Sequence, residues 1–351
     1  MPDSSGRFGP LRSLPPAAVV DAVGGDARAW RADRLGSDGP YPNGGMWRVH
    51  QPGVAGASAV VKRTGPAHLG GDPVWAGSID AADPQWWGRE AEFYSSELAD
   101  AGWATDCRPA RCLAVDDHDD VRDLWLEDVD DIPLPRELYA CTVRALAGWQ
   151  QHHRGYDQPW LAHGWIAAHL RRRDLDNART IGDRRWSRLF EAGIPRSVLD
   201  AARRRVTDPT VVERLLGELP QLLTHHDFHP MNLGRVGDQI VIIDWATVGP
   251  GPVGHDVGFT LVDQGDVLGD ALPEEWQRLV IIYAEALADA GAGIATAAVE
   301  RSAAISNVLR HGWLIDYVLD LSEKVPTDTL ATVRPLLAHL AELQGRYLAE
   351  R

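Results

Sequence analysis

His225-His226-Asp227-Phe228-His229-Pro230-Met231-Asn232, followed a few residues on by Gln239-Ile240-Val241-Ile242-Ile243-Asp244-Trp245, is the stretch on which the reading of this chain turns. It sets a carboxylate at 227, an amide five residues later at 232, and a second carboxylate at the end of an apolar run. Four consecutive β-branched residues, Ile240–Ile243, read as a short strand buried on both faces. Asp244 is therefore a carboxylate presented at a strand end. Alone, Asp227 would read as a turn cap. With Asn232 and Asp244 behind it, the set becomes a group of hard oxygen donors of the kind Mg²⁺ takes.

The order also matches a chemistry. Phosphoryl transfer needs a carboxylate to orient the attacking hydroxyl, an amide and a carboxylate for metal, and little covalent help. Protein kinases write this as H-R-D-x-x-x-x-N and then D-F-G. Here it reads H-H-D-x-x-x-x-N and then D-W-A. The segment resembles the aminoglycoside phosphotransferase family, whose usual forms are H-G-D-x-x-x-x-N and I-D-W or I-D-F. His226 departs from that pattern, because Gly is usual there.

The resemblance implies an α+β, protein-kinase-like two-lobed fold, with a small β-rich N-lobe and a mostly helical C-lobe. It implies a small-molecule kinase using ATP (or GTP) with Mg²⁺. Asp227 would be the catalytic base, and Asn232 and Asp244 the metal ligands. Val60-Val61-Lys62 is similar to the strand lysine that holds the phosphates. Glu90, in Arg89-Glu90-Ala91-Glu92, is similar to that lysine's ion-pair partner; Glu92 lies two residues on and faces elsewhere on a helix. Trp125-Leu126-Glu127-Asp128-Val129 resembles the linker between lobes, where main-chain groups around Glu127 and Val129 would meet the adenine edge. The turn-rich loop 36–45, with Asn43 and Gly44, is placed to cover phosphates through backbone N–H groups, although it is neither G-x-G-x-x-G nor a Walker loop. Asp256 matches an aspartate that fixes the catalytic loop by backbone hydrogen bonds. His225 is expected to bond backbone around the same loop. Three His in five residues also invite a zinc reading, but no Cys accompanies them and Pro230 breaks a helix that would align them.

Composition narrows the setting. The 351 residues carry a formal charge of −15, which speaks against a nucleic-acid partner. Cys107, Cys112 and Cys141 form no C-x-x-C pair, and their odd number gives no disulfide framework. A reducing cytoplasm is the simplest setting. No apolar stretch is long enough to span a bilayer, so no membrane partner is expected. Nothing separates monomer from homodimer. Most of the fourteen Trp read as core.

Along the chain, strands are expected at Ala29–Leu35, Met46–His50 and Ser58–Lys62, and a helix over Asp80–Ala101. Arg111–Val115 and Asp123–Leu126 should pair across an acidic turn at 116–120. Past residue 128 the pattern turns helical, at Glu137–His153, Trp160–Arg172, Arg184–Ala192, Pro195–Arg205, Pro209–Leu219, Pro273–Ala290, Ile294–Leu321 and Thr327 onward. The division is thus an N-terminal nucleotide-binding lobe over 1–128 and a helical lobe over 129–351, bearing the catalytic loop and acceptor site. The segment from Asp244 to Asp256 is too short for a protein-kinase activation segment and lacks its A-P-E. That favours a small-molecule hydroxylated acceptor: an aminoglycoside or other antibiotic, or else a sugar, amino sugar, choline or homoserine. Asp263, Asp266, Asp316 and Asp320 could meet acceptor amines or simply be solvated. A pseudokinase is the reading from another class, and the intact Lys62, Asp227, Asn232 and Asp244 speak against it.

Overall fold

The computed structural model describes Leu11 and residues 15–35, 45–66, 77–118, 121–129, 132–173, 184–261 and 264–348. The loop contacts expected at Asn43 and Gly44 lie outside these residues, as does Asp263.

Among the described residues ten strands form three sheets: β1 (Arg31–Leu35), β2 (Gly45–His50), β3 (Ser58–Thr64), β4 (Cys107–Pro109), β5 (Cys112–His118), β6 (Val121–Glu127), β7 (Gln221–Thr224), β8 (Leu233–Val236), β9 (Gln239–Ile242) and β10 (Gly249–Pro252). The first is antiparallel with order β1-β2-β3-β6-β5. Strand residues alternate between faces. Ala59 and Val61 of β3 go to one side, against Val19, Trp47, Val49 and Trp125. Lys62, opposite Leu124 in register, goes to the other. There the helix Arg89–Ser95 lays Ala91 on Leu124 and Leu126.

The acidic turn is shorter than expected. β5 and β6 run on to His118 and Val121, with Asp116 facing Asp123 and Asp117 facing Arg122. A salt bridge from Arg122 to Asp117 at 2.7 Å keeps the acids of this hairpin compatible with pairing.

The helix expected over Asp80–Ala101 forms only as Arg89–Ser95 and Glu97–Asp100. Ahead of it, Asp80 and Asp83 accept the N–H groups of Ala82 and Gln85 (3.0 and 2.8 Å), and these local bonds compete with a helix. Ser96 ends one helix and caps the next through Leu98 N. Trp160–Arg172 shortens to Trp165–Arg171, because Gly164 sits at φ 66° and Ala162 N is taken by Val248 O at 3.0 Å. Ile294–Leu321 divides into Thr296–His311 and Leu314–Leu321, where Arg205 Nη1 claims Gly312 O at 2.7 Å. The stretch from Thr327 onward likewise divides, into Thr327–Ala331 and Arg334–Leu348, and the other helical stretches appear within a few residues of their expected limits.

The helical half packs around Tyr139–His152, Leu272–Asp289 and Thr296–His311, with Trp149, Trp245 and Tyr283 fully buried. β4 runs parallel to β9, and β9 antiparallel to β8. β7 pairs with β10. No helix among the described residues is long and apolar enough to cross a membrane.

Candidate active site

The loop between β7 and β8 carries Asp227. Its backbone is held from below: both oxygens of the buried Asp256 carboxylate accept N–H groups, from His225 (2.8 Å) and His226 (2.9 Å). This is the expected role of Asp256. Burial pushes its carboxyl up to about 7, against the pull of those two N–H donors. His225 bonds backbone as expected. Its Nδ1 accepts Asp227 N–H at 3.2 Å, so its proton sits on Nε2, which faces Ile243 O at 3.0 Å. Burial pushes the His225 pKa down to about 4.

His226 adopts φ 67°, a conformation open to Gly and costly for other residues. Its ring does not face the cleft. It is buried, stacked on Trp165 (centroids 5.3 Å, planes 19° apart) and next to His255 (5.6 Å). Trp165 in turn stacks on His169, whose Nε2 lies 2.9 Å from Arg310 Nη1. A side chain at the customary glycine position thus joins the Asp227 loop to the helices Trp165–Arg171 and Thr296–His311.

The Asp227 side chain is 28% exposed; its Oδ2 lies 3.0 Å from Asn232 Nδ2 and 3.6 Å from His229 Nε2. Burial raises its pKa, but hydrogen bonding and charge from His229 outweigh that and hold it below the usual carboxylate value. His229 Nδ1 accepts Met231 N–H at 3.2 Å, which opens the turn Pro230–Asn232. Asn232 also donates to Asp227 O at 2.8 Å.

Asn232 and Asp244 come together because β8 and β9 form a hairpin. Leu233 faces Ile242, and Ile243 N donates to Asn232 O at 3.0 Å. The hairpin's open end therefore presents both side chains. Asp244 sits at φ 63° with its side chain 38% exposed. Its Oδ1 is 2.6 Å from Lys62 Nζ. Lys62 Nζ is also 2.6 Å from Glu90 Oε2, and both of those side chains are buried. Burial alone would lower the Lys62 pKa; Asp244 and Glu90 reverse that and hold it protonated. Glu92 instead meets Arg122 at 3.2 Å.

These donors fit a divalent cation. Asn232 spends Nδ2 on Asp227 and keeps Oδ1, while Asp244 keeps Oδ2 with no donor among the described residues. One carboxylate and one amide oxygen are what Mg²⁺ needs from protein when phosphate and water supply the rest. No group of three or more His, Cys, Asp or Glu side chains among the described residues has the makings of a metal cage.

At the linker, the Glu127 carboxylate is turned inward. It binds Arg108 through both guanidinium nitrogens, Arg111 N at 2.7 Å and Arg111 Nε at 3.0 Å. Glu127 N–H donates to Arg111 O at 3.0 Å. Beyond it, Asp128 ties to Arg48 and Ser58 of β2 and β3, and Val129 packs on Ala110 and Val241.

Of the acids offered for acceptor amines, Asp316 is buried against Arg205, and Asp320 lies 2.9 Å from Arg185. The sequence reading missed two other side chains at the site. Arg310 lies over the Trp165 ring at 4.8 Å and the Phe259 ring at 5.5 Å. Arg89 adjoins Glu90 and reaches Ala246 O at 3.2 Å. Only the unusual residue at 226 hinted at the first, and nothing but adjacency to Glu90 at the second.

A family model described as the phosphotransferase enzyme family (APH) matches residues 84–294, more than half of the chain. The protein belongs to this family. It is a small-molecule phosphotransferase, and the expected family and enzyme class stand. Among curated proteins, none matches the sequence. Solved structures resemble this phosphotransferase along most of its length, small-molecule kinases by name among them. Choline kinase from Cryptosporidium parvum Iowa II has 10% identity and a TM-score of 0.52, over 93% of this chain and 92% of that one. Amicoumacin kinase hAmiN, solved with AMP-PNP, Ca²⁺ and Ami, has 11% identity and a TM-score of 0.50, over 90% and 88%. At such identities the likeness concerns the fold alone. That fold is the kinase-like one expected, with a β-sheet N-terminal region and a helical C-terminal part.

Proposed function

We propose that this phosphotransferase moves the γ-phosphate of ATP, or GTP, to a hydroxyl of a small molecule. The observation that carries the reading is the meeting of Lys62, Glu90 and Asp244, drawn from three distant parts of the chain, beside the hairpin that holds Asn232 and the Asp227 loop. Lys62 neutralises and orients phosphate oxygens, and Glu90 aims it. Asp227 accepts the acceptor's hydroxyl proton as that oxygen bonds to the γ-phosphorus and the bond to the β–γ bridging oxygen breaks. The low pKa of Asp227 keeps it ionised for this. Asn232 and Asp244 would hold Mg²⁺, which supplies charge to the triphosphate. The main chain near Val129 is the place for the base.

For the acceptor, we propose a hydroxylated natural product of the antibiotic class, aminoglycosides included. Asp316 and Asp320 are already engaged by arginines, which favours the second reading: a metabolic acceptor with few amines, of the choline, homoserine or sugar kind. The test is ATP consumption across a panel of antibiotics, amino alcohols and sugars, with a phosphate mass shift on the product. Turnover of a polyamine antibiotic that weakens as salt rises supports the first reading, because salt screens exposed charge. Salt-insensitive turnover of a sugar alone supports the second. No turnover on any acceptor, with no binding of Mg·ATP, would refute the kinase assignment itself.

A further inference from the structure

Arg89 is fully buried, and every hydrogen bond its guanidinium makes goes to a main-chain carbonyl. Nε meets Trp160 O (2.8 Å), Nη2 meets Asp83 O (2.8 Å), and Nη1 meets Pro84 O (2.8 Å) and Ala246 O (3.2 Å). One planar group thereby joins three segments. These are the turn that opens its own helix, the loop ahead of the helix Trp165–Arg171, and the turn that begins at Asp244.

Two neighbours reinforce that junction. Glu90, the next residue, holds Lys62. Phe93, one helical turn on, stacks on Trp245 with centroids 4.2 Å apart and planes within 5°. Phe93 also enters the large core that includes Leu146 and Trp149. The helix Arg89–Ser95 is thus anchored to the C-terminal half, although the chain reaches it between strands of the N-terminal sheet. Asp244 is itself in a strained conformation at φ 63°, and a strained turn persists only where its surroundings over-determine it.

We propose that Arg89 is a positioning residue: it locks the Glu90 helix and the Asp244 turn into one rigid unit, so that the Lys62 bridge and the metal ligand are set together by the fold. The inference rests on the reading of Asp244 as a metal ligand. It also means that the Glu90 helix does not swing away as a switch. Lysine cannot replace Arg89, because a single ammonium cannot span carbonyls that a planar fork of five donors reaches.

The test uses Arg89→Lys and Arg89→Met in the full chain. Binding of AMP-PNP is measured by calorimetry with and without Mg²⁺, beside thermal unfolding. Loss of a group that orients a metal ligand costs about 10–100-fold in metal affinity. The expected result is a gain from Mg²⁺ at least about tenfold smaller than in wild type. A folded variant whose Mg²⁺ gain equals that of wild type overturns the proposal. Wild-type protein showing no Mg²⁺ gain at all overturns instead the assignment of Asp244. Should neither variant fold, amide exchange of the wild type decides: residues 89–95 and 245–247 should exchange as slowly as 139–152, and more slowly than β3. A helix 89–95 that opens along with β3, ahead of 139–152, refutes the lock.

Discussion

Replacing His226 by Gly should reverse the order of stability between wild type and variant as the pH falls. Two opposing effects act at pH 8. Glycine relieves the φ 67° conformation, worth about 1–2 kcal/mol. Losing a ring buried between Trp165 and His255 costs roughly 2–3 kcal/mol. The variant should then be about 1 kcal/mol the less stable. Acid adds a further contribution. Burial, with the nearby charge of Arg310, pushes the His226 pKa down to about 3 from an ordinary 6.5. Because the folded value lies below the unfolded one, the unfolded chain takes up the proton first, and stability drains away as pH falls from about 6.5 towards 3. Between pH 8 and pH 5 that is about 1.5 pH units of one proton, or about 2 kcal/mol at 1.36 kcal/mol per unit. The glycine variant escapes this loss, so at pH 5 it should be about 1 kcal/mol the more stable. Contributions from buried groups that do not touch His226 fall on both proteins and cancel in the difference. Urea unfolding of both proteins at both pH values measures it. A gap between them that stays constant within about 0.5 kcal/mol from pH 8 to pH 5 would show that His226 is not held neutral in the fold.

Asp227→Ala should lower kcat by about 10²–10⁴-fold with Mg·ATP binding close to wild type, read by steady-state kinetics and calorimetry; an unchanged kcat removes Asp227 from the role of base. Asp244→Ala should lose Mg²⁺-dependent nucleotide binding and activity together, and retention of that binding on titration defeats its assignment. Glu127→Gln should destabilise the fold by about 1–3 kcal/mol in chemical denaturation, because the part-buried Arg108 loses its charged acceptor while the exposed Arg111 keeps its hydration. A change within 0.5 kcal/mol, roughly the level of a surface substitution, would mean the Arg108–Glu127–Arg111 cluster holds nothing together.

What the sequence showed plainly was what depends on short spacing. Asp227 and Asn232 are five residues apart around one turn, and the hairpin β8–β9 delivers Asp244 beside them, so local geometry almost dictates the trio. The Lys62–Glu90 pair was legible only through the family resemblance, since a lysine ending a strand and a glutamate on a helix are ordinary by themselves. The helix over Asp80–Ala101 was overdrawn because its first turns hold two aspartates that prefer to bond their own backbone. Arg89 was invisible for the opposite reason. An arginine opening a helix reads as solvated, and only assembly of three remote segments shows that it is buried. The acids at 316 and 320 likewise looked open to an acceptor until their arginines, more than a hundred residues away, were placed.

The sharing of Lys62 between two carboxylates bears on the order in which ligands arrive. Its ammonium sits 2.6 Å from Asp244 and already satisfies much of that group's charge. A divalent ion offered alone meets a carboxylate that has a competitor. A triphosphate would change the balance, because it would give Lys62 oxygens to turn to and bring charge that the ion could bridge. Metal and nucleotide should therefore enter as a pair. Free Mg²⁺ should leave the resting protein almost untouched, however high its concentration within the physiological range.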